Sequence, residues 1–348
     1  MTSVVQTRPL VFAAIGAAHP HVYGQVDALL KAGARLKWFY DETPAACVEF
    51  NARYAGVTVA RQTEEILADA EVRLIVGTVP HDQRAALGIR AMKHGKDYLC
   101  AKPGFTTVEQ LETAIQVQRE TQRIYSVYFS ERFSNAATVK ALELVRSGRI
   151  GQVIQTVGFG PHRLLQGSPR PAWWFDTARH GGILNDLASH QIDQFMTFSG
   201  STHGEVMSAH VGNAKFHQYP AFEDFGDVLL RSDRAIGYVR VDWLTADGLP
   251  TWGDVRLFVL GTEGTIEIRK NTDLDGQAGG NHLFVVDGLG VERVSCTEVE
   301  LPFARQLIAD IDDRTETAMT QDHCFRVCRL ALHAQEQAVW LTFAPKNA

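Results

Sequence analysis

The chain has little of several things that would settle its class at once. Its 348 residues carry 34 lysines and arginines against 40 aspartates and glutamates, a net charge of −6, so the basic field that draws nucleic acid is missing. The longest apolar runs, such as Arg73 to Val79, are strand-sized and far short of the roughly 20 residues that cross a bilayer. Met1 to Arg8 is polar and holds no apolar secretion core. Five cysteines, an odd number at irregular spacing, do not make a disulfide framework. Cys324 and Cys328 stand one helical turn apart beside His323, but a lone trio fits buried helix cysteines better than a metal site, and no metal is expected. Repeats and low-complexity tracts are missing too. These absences leave a soluble, cytoplasmic globular protein with no nucleic-acid or membrane partner, long enough for two domains.

What is present first is alternation. Leu10–Ile15 is a continuous apolar strand ended by Gly16, and a helix follows over His21–Ala32. Strands at Leu36–Tyr40, Val57–Ala60, Leu74–Val79, Tyr98–Ala101 and Ile124–Phe129 interleave with further helices. Those helices run over Pro44–Tyr54, Glu64–Ala68 (capped by Thr63), Asp82–His94 and Thr107–Glu120. The pattern predicts an α/β fold, a Rossmann doubly wound parallel sheet over residues 1–130.

The phosphate-binding turn of such a fold falls on Gly16, Ala17, Ala18, His19, Pro20 and His21, where only the first glycine of G-x-G-x-x-G survives. Ala18 is small enough for a pyrophosphate to approach, and His19 and His21 have N–H groups to offer it. They are equally plain polar lining. Asp41 ends the second strand, where a carboxylate accepts the ribose hydroxyls and, with Glu42, repels a 2′-phosphate; the cofactor expected is NAD.

The second domain is expected over residues 131–348, and from Gly151 the period changes. Val153–Phe159, Glu205–Val211, Asp227–Arg231, Ala235–Val241, Val255–Leu260 and Thr265–Ile268 read as a mostly antiparallel open sheet of an α+β domain. Helices over Asn185–Phe198, Phe303–Thr317 and Gln321–Phe343 flank it. Gly181 and Gly182 lead into the first of these, which carries Asp186 and His190 at i and i+4 on one face, with Asn185 or Asp186 serving its first turn. Alone, the pair is as well an ordinary surface Asp–His contact. Upstream, the loop from Pro161 to His180 holds Arg163, Arg170, Trp173 and Trp174. Indoles suit the C–H face of a sugar ring, or anchor the loop in the core; the arginines suit an anionic group, or solvent. Asp242-Trp243 and Thr251-Trp252-Gly253-Asp254 make a second aromatic and polar cluster.

Lys102-Pro103, at the carboxyl end of a parallel strand, resembles the Glu-Lys-Pro motif of the glucose–fructose oxidoreductase/inositol dehydrogenase (Gfo/Idh/MocA) family. The stretch Gly181-Gly182…Asp186…His190 is similar to that family's second hallmark. Thr78-Val79-Pro80-His81 resembles its cofactor-edge loop, Glu131-Arg132-Phe133 its domain crossover, Gly148–Gly151 the entry to its second domain and Gly261–Gly264 a late hairpin. Ala101 departs from the motif's glutamate, and Arg84 stands where many members have histidine.

The resemblance implies an NAD(H)-dependent oxidoreductase acting on a secondary alcohol of a sugar, cyclitol or related polyol. It implies cofactor contacts at Gly16, Ala18, His19, Pro20, His21, Asp41, Thr78, Val79, Pro80, His81, Lys102 and Pro103. His190 is then the general base, with Lys102 donating to the same oxygen and Asp186 orienting the imidazole or the hydroxyl; Lys102 is the other candidate for the base. Histidine's usual pKa of about 6.5 suits that work near neutrality. Lys102, Arg163, Arg170, Trp173, Trp174, Asp186 and His190 would hold the substrate, and a homo-oligomer, dimer or tetramer, is expected. Two other readings stay open: an NAD-dependent glycoside hydrolase working by transient oxidation, elimination and hydration, and a non-catalytic NAD-sensing regulator.

Overall fold

A computed structural model describes residues 9–164 and 170–343; Met1 to Arg8 and part of the loop Pro161–His180 lie outside the described residues. By contact the chain divides into two compact units. One is Met1–Gly104 with Glu109–Tyr128 and Pro302–Cys324; the other is Phe105–Val108 with Phe129–Leu301 and Phe325–Ala348.

In the first unit, β1 (Val11–Ile15), β2 (Arg35–Tyr40), β3 (Thr58–Val59), β4 (Leu74–Gly77), β5 (Asp97–Ala101) and β6 (Tyr125–Tyr128) form one parallel sheet, in the order β3-β2-β1-β4-β5-β6. Every residue of β1, β4, β5 and β6 is buried, as expected when helices cover both faces; Asp97 and Ser126 are the polar exceptions in otherwise apolar or aromatic strands. The connections reverse direction between β1 and β4. The carboxyl ends of those strands are therefore where such a sheet opens a crevice.

Helices α1 (His21–Lys31), α2 (Pro44–Arg53), α3 (Thr63–Ala68), α4 (His81–Lys93) and α5 (Val108–Thr121) connect the strands. α1 buries Val22, Gln25, Val26 and Leu29, one stripe at helical spacing. Thr63 does not cap α3. The capping position is Gln62, without a side-chain bond, and the Thr63 hydroxyl donates to Glu64 instead. The helix Phe303–Asp313, expected beside the second sheet, belongs to the first unit. Just beyond it Arg314 reaches both oxygens of buried Asp97 at 2.8 and 2.9 Å. Two residues 217 positions apart leave no local trace in sequence.

The second unit is built on a mixed sheet of β7 (Val153–Pro161), β8 (Glu205–Gly212), β9 (Phe225–Arg231), β10 (Ile236–Asp242), β11 (Arg256–Gly261), β12 (Gly264–Arg269), β13 (His282–Asp287), β14 (Gly290–Val294) and β15 (Val339–Leu341). Its order is β14-β13-β12-β11-β7-β10-β9-β8-β15. Only the β7–β10 and β8–β15 pairs in it are parallel. β11 alternates buried and partly exposed residues, the mark of a sheet with one packed face. That face meets Ala137, Ala141 and Leu142 of a helix over Ala136–Arg146, which periodicity had not marked. Its start is capped by Asn135, whose side chain accepts from Thr138 N at 3.1 Å. The helix expected over Gln321–Phe343 ends at Glu336, and Val339–Leu341, short and rich in strand-forming side chains, joins the sheet edge.

Candidate active site

At the β1–β4 reversal the turn after β1 is held by backbone bonds on three sides. Gly16 N donates to Tyr40 O at 2.7 Å, Ala18 N to Thr78 O at 3.0 Å, and Thr78 N to Ile15 O at 3.0 Å. The Thr78 hydroxyl closes the ring onto Gly16 O. Gly16 has a φ of +86°, and a Cβ there would stand 2.6 Å from Val79 N, so only glycine fits. α1 then opens at His21, with the rings of His19 and His21 3.9 Å apart. His21 N donates to His19 Nδ1 at 3.2 Å, so His21, at the third-glycine position, sits against a tilted His19 ring at the helix start.

Asp41 lies at the same end of β2, half-buried. Its Oδ2 accepts from Ala17 N at 2.6 Å and its Oδ1 from Thr43 N at 2.7 Å. The carboxylate is thereby oriented while each oxygen keeps a second lone pair. A glycine turn that admits no Cβ, a helix N-terminus and an oriented carboxylate at the next strand end fit a dinucleotide: pyrophosphate at the turn, ribose at Asp41.

Thr78 and His81 are buried, and Val79 and Pro80 half-buried, in the loop from β4 into α4. Lys102 follows β5 directly, 4% exposed, with a cis peptide to Pro103. Arg84 does not reach solvent. It is fully buried, and its Nε donates to Val79 O at 2.9 Å. Its Nη1 lies 3.2 Å from both Ala101 O and Pro103 O and also donates to Lys102 O. Tyr125 Oη takes the next carbonyl, Gly104 O, at 3.0 Å. Two buried side chains thus satisfy four successive carbonyls where the strand ladder stops.

In the second unit, Gly181 and Gly182 have φ values of +87° and +81°. A Cβ on Gly181 would meet Asn185 Nδ2 at 2.9 Å, and one on Gly182 would meet Gln335 Cδ at 2.1 Å. The segment they lead into is not a regular α-helix from its start. Leu184–Ala188 forms one wide π turn, and the α-helix proper is Ser189–Ser199. Asp186 is in the wide turn and His190 in the first α-turn, so the i, i+4 relationship of an ideal helix does not hold across them.

Neither Asn185 nor Asp186 caps this start. Ile183 N donates to Glu223 Oε2 at 2.7 Å and Leu184 N to Gln335 Oε1 at 2.9 Å, while Asn185 Nδ2 donates to Phe105 O at 2.8 Å. Glu223 and Gln335 also bond each other at 2.8 Å. Burial pushes the Glu223 carboxyl above its usual range, against the Ile183 N–H and nearby His180. Asp186 is fully buried, and its Oδ2 lies 3.3 Å from Nε2 of buried His180. His190 is buried too, edge-on to Phe129 at 6.3 Å. His180, Glu223 and Gln335 were not singled out in the sequence. His180's place directly before the glycine pair is the one signal that was available.

The aromatic loop divides. Trp174 is 1% exposed, packed against His180 at 5.0 Å and Trp243 at 5.8 Å, an anchor. Trp173 stays half-buried. Arg170 lies over Trp174 at 4.4 Å and donates through Nε to Leu164 O at 3.0 Å. Burial holds its pKa below the usual guanidinium value, opposed by the Asp186 carboxylate. Arg163 is spent on its own neighbourhood, Nη2 donating to Ala246 O and Leu249 O at 2.7 Å each. Trp252 and Trp243 both flank His162, at 4.5 and 5.4 Å, so the two aromatic clusters are continuous.

Comparison with known proteins agrees with this fold. Residues 12–129 match the oxidoreductase family model described as an NAD-binding Rossmann fold, and residues 138–267 the GFO/IDH/MocA C-terminal domain. A crystal structure described provisionally as an oxidoreductase from Erwinia carotovora atroseptica is 41% identical. It covers 96% of this chain and 100% of its own, with a TM-score of 0.93. A levoglucosan dehydrogenase in complex with NADH and levoglucosan has the same fold, at 18% identity and a TM-score of 0.79 over 95% of this chain and 97% of that one.

Among curated relatives, an oxidoreductase of Schizosaccharomyces pombe is 28% identical over 64% of this chain and 60% of its own. The NAD(+)-dependent scyllo-inositol 2-dehydrogenase of Bacillus subtilis is 30% identical over 59% of this chain and 57% of its own length. The chain thus spans less than two thirds of these relatives. Among the described residues no helix is long and apolar enough to cross a membrane. The chain belongs to the Gfo/Idh/MocA family of oxidoreductases, and its first unit carries that family's NAD-binding Rossmann fold.

Proposed function

We propose that the protein is an NAD(H)-dependent dehydrogenase acting on a secondary alcohol of a sugar, cyclitol or related polyol. The observation that carries this reading is Lys102, buried at the carboxyl end of β5 on a segment whose carbonyls are held by Arg84 and Tyr125. A lysine fixed in this way beside the crevice of a dinucleotide fold is suited to the oxygen of a reacting alcohol. Bound NAD supplies the hydride acceptor. Lys102 Nζ donates a hydrogen bond to the substrate oxygen and steadies the alkoxide that forms. His190 accepts the hydroxyl proton on an imidazole nitrogen, and Asp186 orients the groups around it.

Trp173, half-buried on the loop before the glycine pair, is suited to the C–H face of a ring, and Arg170 to polar groups at its edge. Asp41 favours NAD over NADP. The relation to a scyllo-inositol 2-dehydrogenase supports a polyol as the substrate class. The working form proposed is a homo-oligomer, which light scattering on the purified protein checks.

The experiment is a panel of inositols, aldoses, anhydrosugars and glycosides incubated with the protein and NAD, read by NADH absorbance and by product analysis. NADH formation with a cyclitol or sugar supports the assignment. Cleavage of a glycoside without NADH accumulation replaces it with transient-oxidation hydrolysis. Tight NAD binding with no turnover across the panel replaces it with a sensor.

A further inference from the structure

Position 101, where the Glu-Lys-Pro motif has its acid, is alanine in this chain, and the side chain is completely buried. No carboxylate at that position is available to hold the following lysine. Arg84, on the first turn of α4, fills the gap by another route. Its guanidinium is fully buried and bonds Ala101 O, Lys102 O and Pro103 O, the three carbonyls bracketing the lysine. Through Nε it also bonds Val79 O, tying the end of β5 to the loop that follows β4.

Arg84's own backbone is fixed in turn. Tyr98 Oη, fully buried on β5, donates to Arg84 O at 3.0 Å. Gly77 and Gly88 leave the room Tyr98 occupies, since a Cβ would stand 2.2 Å from Tyr98 Oη at the first and 2.5 Å from Tyr98 Cδ1 at the second. Bonds from a cation to carbonyl oxygens are stronger than neutral ones, and a planar fork lets one side chain serve several acceptors. Such a clamp sets the backbone direction at Lys102, and through it where Nζ points.

We propose that Arg84 is the positioning residue for Lys102, doing through backbone carbonyls what this chain's alanine at 101 cannot do through a carboxylate. The proposal rests on Lys102 acting at the reacting oxygen. Displacing a catalytic group by about 1 Å costs up to roughly a hundredfold in rate, so losing the clamp shows in turnover before it shows in substrate affinity.

The test uses the full chain with Arg84→Met, which keeps an unbranched apolar side chain without donors, and Arg84→Lys, which keeps charge and some donors. Leu111→Ala, a buried core change on α5, serves as a control for destabilisation alone. Two readouts are taken. The first is the NMR signal of Lys102 after reductive ¹³C-methylation, assigned by its loss in Lys102→Arg. The second is kcat and KM on whichever panel compound the wild-type protein oxidises.

Arg84→Met is expected to shift or broaden the Lys102 signal and to lower kcat at least about tenfold, with KM changed little. Arg84→Lys should recover part of both, and Leu111→Ala should alter neither. A wild-type Lys102 signal and kcat in Arg84→Met overturn the proposal, as does an equal loss in Leu111→Ala at matched melting temperature. If Arg84→Met does not fold, Arg84→Lys decides: both readouts unchanged overturns the proposal, both displaced supports it. If the wild-type protein oxidises no panel compound, the dehydrogenase reading fails while the NMR signal still decides whether Arg84 places Lys102.

Discussion

Arg132 grips both carboxylate oxygens of Asp193 in the helix Ser189–Ser199, Nε to Oδ2 at 2.7 Å and Nη2 to Oδ1 at 2.8 Å. Asp193 is completely buried and the arginine side chain is 12% exposed, so the pair anchors the helix that carries His190 from a helix that follows β6. Removing one partner of a buried pair strands the other charge, which costs roughly 3–5 kcal/mol. Arg132→Met should therefore lower stability by about that amount in denaturant titration. Asp193→Asn with Arg132 retained should do similar harm, and a double change to Met and Leu should recover much of it.

Lys102 and His190 are each assigned to chemistry rather than to cofactor capture. Lys102→Met and His190→Asn should each lower turnover by roughly a hundredfold or more, the scale for a positioned proton-handling group, with NAD affinity nearly unchanged. The double change should lose much less than the product of the single losses. Asp186→Asn should do comparable harm. If His190→Asn keeps most of the wild-type turnover, the base is Lys102.

Asp41 presents an oriented carboxylate at the end of β2, fixed by Ala17 N and Thr43 N. NAD should bind more tightly than NADP by fluorescence titration, because a 2′-phosphate meets that charge. Asp41→Ser should narrow the gap. It should also weaken the turn slightly, since the serine hydroxyl is too short to serve both amides.

Glu223 gives the protein a pH signature. Its folded pKa lies above the ordinary 4.5, first because it is buried. The folded state therefore holds this proton more tightly than the unfolded chain does. This contribution favours folding below about pH 4.5 and is lost as pH rises through the folded value. Subtracting the stability–pH profile of Glu223→Gln from that of the wild type should leave a difference that falls over this window and is flat above it. A difference rising with pH there contradicts the assignment. The glutamine also loses one acceptor, so it should loosen the turn at Ile183 or Leu184 at every pH.

Much of the first unit was legible because its signals are local. The buried parallel strand Val11–Ile15 is apolar throughout, and Gly16 has to be glycine where a Cβ would strike Val79 N. Lys102 was marked by its place at a strand end and by motif, Asp186 and His190 by helical spacing and by motif. The hairpin of β13 and β14 carried a turn signal at Asp287-Gly288 after the apolar run Leu283–Val286, and was still passed over.

Tertiary structure decided what depends on residues distant in sequence. Helical periodicity predicted one regular helix through Asp186 and His190, but Glu223 and Gln335 supply the acceptors for Ile183 N and Leu184 N, and the turn that forms there is wide. Trp173 and Trp174 are neighbours of the same type, and only packing against Trp243 and His180 separates an anchor from a half-buried ring. Arg84 read as a departure from a cofactor loop. Folding places it beneath three successive backbone carbonyls of another segment as well as Val79 O, and no spacing in the sequence records the distant three.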